Sequence, residues 1–487
     1  MGSGGDSLRD AGSSDRVFAL PGALWAVLRN GVRGGALREH DVLAHNAEGQ
    51  DGAPPALKRA VSTVVSVNLA EGQESDERAA DLTRRLSRAL SRAPSVAPEV
   101  PRLMADVTAA FIESALRESG ALPVGVSVKE IDIQPMALNG FLSDVGRAYI
   151  TYECSEDCDA GETRTPPSVI VKLCAASEEV LEAAQVDSLY RMEAEFFLKF
   201  AETCAVGAPH CFCALEDDRG GHGALVLEDL ELRPTLYCVS QVKGIGRREA
   251  VCMAEAMGAL HAQHWSPEGR AGMPEWLSHV CDISIRDPDN KKCAPIYLQS
   301  KFVDPASCEA RGVGGETLAA ARRVMERGAE LKAALSGPGP CTLLHNDARC
   351  DNVFWGDEGG VPGGVVFLDW QLLGCGPGPI DLAWATTNSI TDAPPSEARD
   401  RVYVVKYWES LTSRGVDKRS YPFEACWRDY LLGVAWSYAF LTHLAALGNA
   451  EEMLENELCR KIHDRCMTAV AALGVHEIAY ERIVGST

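Results

Sequence analysis

Apolar positions along this chain follow two different rhythms. Ser168-Val169-Ile170-Val171-Lys172, Gly223-Ala224-Leu225-Val226-Leu227 and Val365-Val366-Phe367-Leu368 are short unbroken apolar runs, mostly β-branched, which predict buried strands. Residues 126–133 and 146–152 predict two further strands, joined by a turn over Met136–Val145. In Leu189–Phe200 the apolar residues Met192, Phe196, Phe197 and Phe200 return after three or four places, so this stretch predicts a helix. Helical spacing without interior proline recurs over Arg102–Arg117, Arg247–His264, Gly315–Leu335, Ala398–Arg414, Glu424–Leu447 and Asn449–Leu473. Most expected strands precede residue 230 and most expected helices follow it, which is an α+β pattern.

Residues 1–100 read differently. They are rich in Gly, Ala, Ser and Arg and lack strand patterns, so this extension is expected to be largely disordered. One amphipathic helix is expected within it, over Asp76–Arg92, where Leu82, Leu86 and Leu90 share a face. Pro94, Pro98 and Pro101 then mark a boundary.

The chemistry concentrates in His345-Asn346-Asp347-Ala348-Arg349-Cys350-Asp351-Asn352, a loop that follows the apolar Cys341–Leu344, and in Asp369 at the end of the strand Val365–Leu368. Phosphoryl transfer needs a carboxylate near the acceptor oxygen, and hard oxygen ligands for magnesium that leave room for waters and phosphates. Asp347 is the candidate base, and Asn352 and Asp369 are the candidate metal ligands. A turn-rich segment, Gly356–Gly364, separates the loop from the next strand.

The rest of such a site is sought upstream. Lys172 closes a strand and is the candidate anchor for nucleotide phosphates, with a glutamate on the following helix as its partner; Glu193 is preferred over Glu195. The turn carrying Asn139, Gly140 and Ser143 is the candidate phosphate cover, although a glycine-rich pattern is absent. Glu228 and Leu230, in the last part of the buried-strand pattern Gly223–Leu230, are expected to hold the base through their main chain.

These strings resemble the aminoglycoside phosphotransferase and choline kinase-like superfamily, and most of all its ecdysteroid kinase-like branch. Beyond the motifs above, the resemblance rests on Leu260-His261-Ala262 with Trp265, on Leu368-Asp369-Trp370-Gln371 with Gly376-Pro377, and on Asp381-Leu382-Ala383-Trp384. It implies a bilobal protein kinase-like fold, with residues 101–231 as a small β-rich lobe and 232–487 as a larger, mostly helical one. It also implies ATP or GTP and Mg²⁺ as cofactors, a hydroxyl acceptor, and Asp381 bracing the catalytic loop from behind or capping the helix it opens. Asn346 stands where the phosphotransferases have glycine, as in choline and ethanolamine kinases, whereas Trp370-Gln371 favours the ecdysteroid kinase-like branch. A choline or ethanolamine kinase is therefore the alternative of the same chemistry, and a nucleotide-binding pseudokinase scaffold the alternative of another class. Trp427, Asp429, Trp436 and Tyr438, on one expected helix, are the nearest thing to an acceptor-binding set.

Composition narrows the partners. A chain of 487 residues has room for two lobes plus an extension. Its formal net charge of -22 argues against a nucleic-acid partner, and no apolar run is long enough to predict a membrane span. The apolar segment Val17–Leu28 is broken by Pro21 and Gly22 and does not follow a basic start, so a cytoplasmic location is expected. The 17 cysteines are odd in number and scattered, which suggests free thiols; Cys154 with Cys158 and Cys211 with Cys213 are the closest pairs.

Overall fold

In the computed structural model the residues described are 100–136, 143–155, 165–175, 181, 188–216, 222–356, 364–447 and 450–483, with side chains 443–447, 450 and 452 left aside. The expected helix at Asp76–Arg92, the turn residues Asn139 and Gly140, and Cys158 lie outside them. The chain forms two units.

The first unit takes in residues 108–130, 151–155 and 165 of those described. Helix α1, Ala109–Glu118, starts where the Thr108 hydroxyl accepts the Phe111 N–H, a cap that contributes about 1 kcal/mol. The sequence predicts a helix from Arg102; instead a single 3₁₀ turn, Met104–Asp106, precedes the Thr108 cap. Glu113 accepts the Val128 N–H at 2.9 Å and Arg117 donates to the Val126 carbonyl at 2.7 Å, which pins α1 to the beginning of strand β1, Val126–Pro135.

The second unit holds residues 100–107, 131–150 and 166–483 of those described. Strand β2 is Ser143–Cys154, β3 is Ser168–Cys174, helix α2 is Leu189–Lys199, β4 is Cys211–Glu216 and β5 is Gly223–Glu228. They build a five-stranded sheet in the order β1-β2-β3-β5-β4, and β2, β3, β5 and β4 pair antiparallel along it. Strand β3 is central, so Val169, Val171 and Leu173 are buried, as an uninterrupted apolar run requires. The sequence missed β4, because Cys211-Phe212-Cys213-Ala214-Leu215 shows neither β-branching nor alternation.

After a short strand β6, Leu236–Cys238, the chain turns helical: α3 is Arg247–Gln263, α4 Cys293–Leu298, α5 Pro305–Ala310, α6 Gly315–Glu326 and α7 Gly328–Leu335. Strand β7, Thr342–Leu344, leads into the His345–Asn352 loop, followed by β8, Val353–Gly356, β9, Val365–Phe367, and β10, Gly374–Gly376. Strand β10 pairs with β7, and β8 lies between β6 and β9. Helices α8, Pro379–Ser389, α9, Glu397–Ser413, α10, Phe423–Leu447, α11, Ala450–Glu455, and α12, Glu457–Ala472, complete the unit.

Two expected helices are each broken in two. Arg327 leaves helical geometry between α6 and α7, and Asn456 separates α11 from α12 by turning its side chain back to cap the N–H groups of Leu458 and Cys459.

Helix α8 is the axis of this helical region. All eleven of its residues are buried, because α3, α9, α10 and α12 pack around it. Gly433 on α10 permits the closest approach: a Cβ there would stand 2.8 Å from the Ala383 Cβ of α8. The site described next grows out of the start of α8 and the strands beside it.

Candidate active site

Backbone geometry first sets the loop. Asn346 sits in the left-handed region with φ +64°, which asparagine tolerates better than most residues. Asp381, in the first turn of α8, receives the His345 N–H on Oδ2 and the Asn346 N–H on Oδ1, each at 2.7 Å. Its carboxylate braces the loop and is not the cap of α8, whose N-cap is Gly378. Asp381 is held in turn by His261 Nε2 at 3.3 Å, and His261 Nδ1 meets the Tyr407 hydroxyl at 2.9 Å.

His345 links this loop to the next strand. Its Nδ1 accepts the Asp347 N–H at 3.1 Å, so the ring proton resides on Nε2, 2.8 Å from the Leu368 carbonyl. Burial pushes the imidazole pKa down, against Asp381, Asp347 and Asp369, so the ring stays neutral. The Leu368 N–H in turn donates to the Asn352 carbonyl at 2.9 Å, and Val353 lies opposite Phe367 in the β8–β9 ladder. Asn352 and Asp369 are thereby carried on one strand pair.

Asp347 is surrounded by donors. The Trp384 indole N–H meets Oδ1 at 3.1 Å, Arg349 Nε and Arg286 Nη2 approach the same oxygen at 3.4 and 3.8 Å, and Asn352 Nδ2 donates to Oδ2 at 3.1 Å. Asn352 Nδ2 also donates to the Asp347 carbonyl at 2.9 Å. With both bonds made through nitrogen, the carboxamide oxygen of Asn352 remains as an acceptor. Burial would lower the Arg349 guanidinium, but Asp347, Asp351 and Asp369 outweigh it and raise it.

Lys172, on β3, brings the distant parts together. Its Nζ lies 2.7 Å from Glu193 Oε2 on α2 and 2.8 Å from Asp369 Oδ1 just beyond β9. Burial would drive the ammonium to lose its proton, but the two carboxylates outweigh that and raise its pKa. Burial would also raise the Asp369 carboxyl, and there Lys172, with His345 and Arg349, wins and holds it below the usual carboxylate range. Glu193 goes the other way: burial and the neighbouring Asp369 charge raise it in spite of Lys172. Glu195 points elsewhere, to Lys199 at 2.6 Å and Arg191 at 3.7 Å.

Asp369 itself has φ +61°, a strained backbone for a residue with a Cβ. Its neighbour Trp370 fixes it: the Trp370 ring stacks on Phe196 at 3.6 Å and 7°, and its backbone N–H reaches Glu193 Oε1 at 3.3 Å. Ser143 Oγ accepts from Gln371 Nε2, and these two line a cleft with Lys172, Tyr190, Glu193 and Leu225.

The main chain at the end of β5 is partly committed. The Glu228 N–H donates to the His210 carbonyl and its carboxylate pairs with Arg233, while the Leu230 carbonyl accepts the Arg233 N–H. Asp229 between them, only 3% exposed, accepts Ser168 Oγ at 2.6 Å and Arg147 Nε at 2.8 Å and ties the strand end to β2 and β3.

Sequence reasoning missed Arg286, Arg349, Trp384 and Tyr407. Arg349 and Trp384 lie inside quoted motifs, but nothing in their spacing assigns them to Asp347. Arg286 lies in the irregular stretch between α3 and α4 and carries no periodic or motif signal at all. It is fully buried, with its guanidinium carbon 3.3 Å from the Phe440 ring centre, 5.2 Å from Trp436 and 5.4 Å from Trp384. Burial pulls it down to about 9, against Asp347 and Asp381.

The sequence profile of the ecdysteroid kinase-like family matches residues 137–414, more than half of the chain. The chain belongs to the ecdysteroid kinase-like family. That family's span covers β2 to the end of α9 and contains Lys172, Glu193, Arg286, Asp347, Asn352, Asp369 and Asp381. No curated protein matches the chain in sequence. Among solved structures it is similar to a thermostable mutant of the aminoglycoside phosphotransferase APH(4)-Ia in its apo form, at 14% identity over 74% of this chain and 98% of that one, with a TM-score of 0.35. It is also similar to amicoumacin kinase hAmiN in complex with AMP-PNP, Ca²⁺ and Ami, at 13% identity over 75% and 96% of the two chains, with a TM-score of 0.34. Membership makes this a kinase-like protein of the small-molecule type. Among the described residues no helix is long and apolar enough to cross a membrane, and every described cysteine is a free thiol.

Proposed function

We propose that this protein is an ATP-dependent kinase that transfers the γ-phosphoryl group to a hydroxyl of a small metabolite, with Mg²⁺. The observation that carries the reading is the position of Lys172 Nζ, within 2.9 Å of both Glu193 and Asp369, residues that come from a helix and a strand end far apart in sequence. In this reading residues 101–231 and 232–487 are the small and large lobes.

Asp347 is the base. It orients the acceptor hydroxyl and takes its proton as the oxygen attacks, while the donors on Oδ1 hold the carboxylate in place. Lys172 holds the nucleotide phosphates, and Glu193 holds Lys172. Asn352, through its carboxamide oxygen, and Asp369, through its carboxylate, are the pair that would ligate magnesium; one amide and one acid suit an ion that keeps waters and phosphate oxygens as its other ligands. When bound, the metal supplies charge neutralisation for the transferring group. Ser143, which lines the cleft with Lys172, faces the phosphates, and the main chain near Glu228 and Leu230 receives the base.

The test is a panel of hydroxylated metabolites assayed for acceptor-dependent ADP release. Release that requires both Mg²⁺ and one acceptor class supports the proposal. Nucleotide binding with no release on any alcohol would make the chain a binding scaffold instead.

A further inference from the structure

The three rings around Arg286 form a box of the kind that receives organic cations. The guanidinium carbon stands over the Phe440 ring, 3.3 Å from its centre, Trp436 and Trp384 lie 5.2 and 5.4 Å away, and the Asp347 carboxylate is 3.8 Å from Nη2. An aromatic enclosure with a carboxylate at its edge is the arrangement that holds quaternary and guanidinium groups. The rings are braced as a set: Trp384 meets Phe440 edge-on at 5.0 Å, Trp436 stacks on Phe440 at 5.9 Å, and the Trp436 indole donates to the Arg286 carbonyl at 3.1 Å.

Arg286 fills this box as an internal occupant. It is 0% exposed, its Nη2 donates to the Asn346 carbonyl, and Nε and Nη1, both buried, have no hydrogen-bond partner. Buried donors without partners are rare and unfavourable, and two on one side chain call for a reason. The ring faces supply one, since they attract the charge without hydrogen-bonding it.

We infer that Arg286 is a specificity-determining residue: it occupies, from within the chain, the cation box beside Asp347, and so bars acceptors that carry a positive charge next to the reacting hydroxyl. The inference rests on the proposal that Asp347 faces the acceptor. On this view the substrate is a neutral or anionic alcohol, and quaternary amino alcohols of the choline kind are excluded by competition with the protein's own guanidinium.

Tetramethylammonium tests the box without any turnover, because Trp384 and Trp436 report on it by fluorescence. Arg286→Ala in the full chain is expected to show saturable quenching with tetramethylammonium chloride, at least roughly tenfold tighter than wild type or Arg286→Lys at matched ionic strength. A folded Arg286→Ala without that gain, or a wild type that binds equally well, overturns the inference. Should Arg286→Ala fail to fold, melting temperatures of Arg286→Lys and Arg286→Met decide. A box that demands a cation makes the lysine variant the more stable, whereas a purely packing role makes the methionine variant equal or better and sinks the idea. Binding of tetramethylammonium by Arg286→Ala, without ADP release on any acceptor, would leave the cation box standing while the kinase reading fails.

Discussion

Asn346, at φ +64°, presents its backbone N–H to Asp381 Oδ1 at 2.7 Å. The left-handed residue turns the loop so that Asp347, next in line, leaves the strand direction of β7 and enters a ring of donors. The second oxygen of Asp381 holds the His345 N–H, so one buried carboxylate fixes two consecutive peptides.

Replacement of this brace therefore affects both stability and function. Asp381→Asn exchanges one acceptor oxygen for a donor facing an N–H, which leaves a buried group unpaired and costs about 1–3 kcal/mol. The expected outcome is a lower urea midpoint, together with slower acceptor-dependent ADP release, because the loop loses its fixed turn.

Asp347→Asn removes the proposed base but keeps the shape. Turnover is expected to fall at least ~10²-fold while nucleotide binding persists. Single-turnover assays and nucleotide titration separate the two, and unchanged turnover removes Asp347 from the mechanism.

Asp369→Ala takes away a proposed metal ligand and one of the two anions that hold Lys172. Nucleotide affinity is expected to lose its dependence on Mg²⁺, read by titration with and without the ion. An affinity that still rises with Mg²⁺ as in wild type assigns the metal elsewhere.

Acid should also destabilise the chain through His279, whose segment bridges β10 at Cys375. His279 is buried, its Nδ1 accepts the Cys281 N–H at 3.2 Å, and burial, with Arg482 and Arg270 nearby, pushes its pKa down to about 4 against the pull of Asp282. An unfolded histidine binds its proton near pH 6.5, so between about 6.5 and about 4 the unfolded chain holds more protons than the folded one. Stability is therefore present above pH 6.5 and declines as pH falls through that window, by up to about 3 kcal/mol from this one group. His279→Asn should flatten the decline in a pH series of thermal melts.

Gly433→Ala forces a methyl against the Ala383 Cβ and the Ile380 backbone of α8, a helix with no free side to retreat to. The expected loss is about 1–3 kcal/mol in denaturant titration, as for other overpacked cores.

Much of the fold could be read from apolar spacing, because β3, β5 and α2 each bury one uninterrupted surface. Lys172, Glu193, Asp347, Asn352 and Asp369 could be named because each sits in such an element or within a spaced motif, although β3 runs on past Lys172 to Cys174. Residues whose position depends on how elements meet could not. Arg286 comes from an irregular stretch, and only the folding of α8 and α10 around it makes its box. Helix α8 shows no apolar stripe because it has no solvent side, and the breaks at Arg327 and Asn456 are decided by local capping that spacing arguments pass over.

The stack of Phe196 on Trp370 joins α2 to the turn that carries Asp369. Since Glu193 lies one turn before Phe196, and Asp369 one residue before Trp370, the two acids that grip Lys172 are yoked like handles on a single lever. Swinging the helix outward would unseat the aspartate with it. A displacement that parts Lys172 from Glu193 by moving α2 therefore reaches Asp369 as well, through the stacked rings.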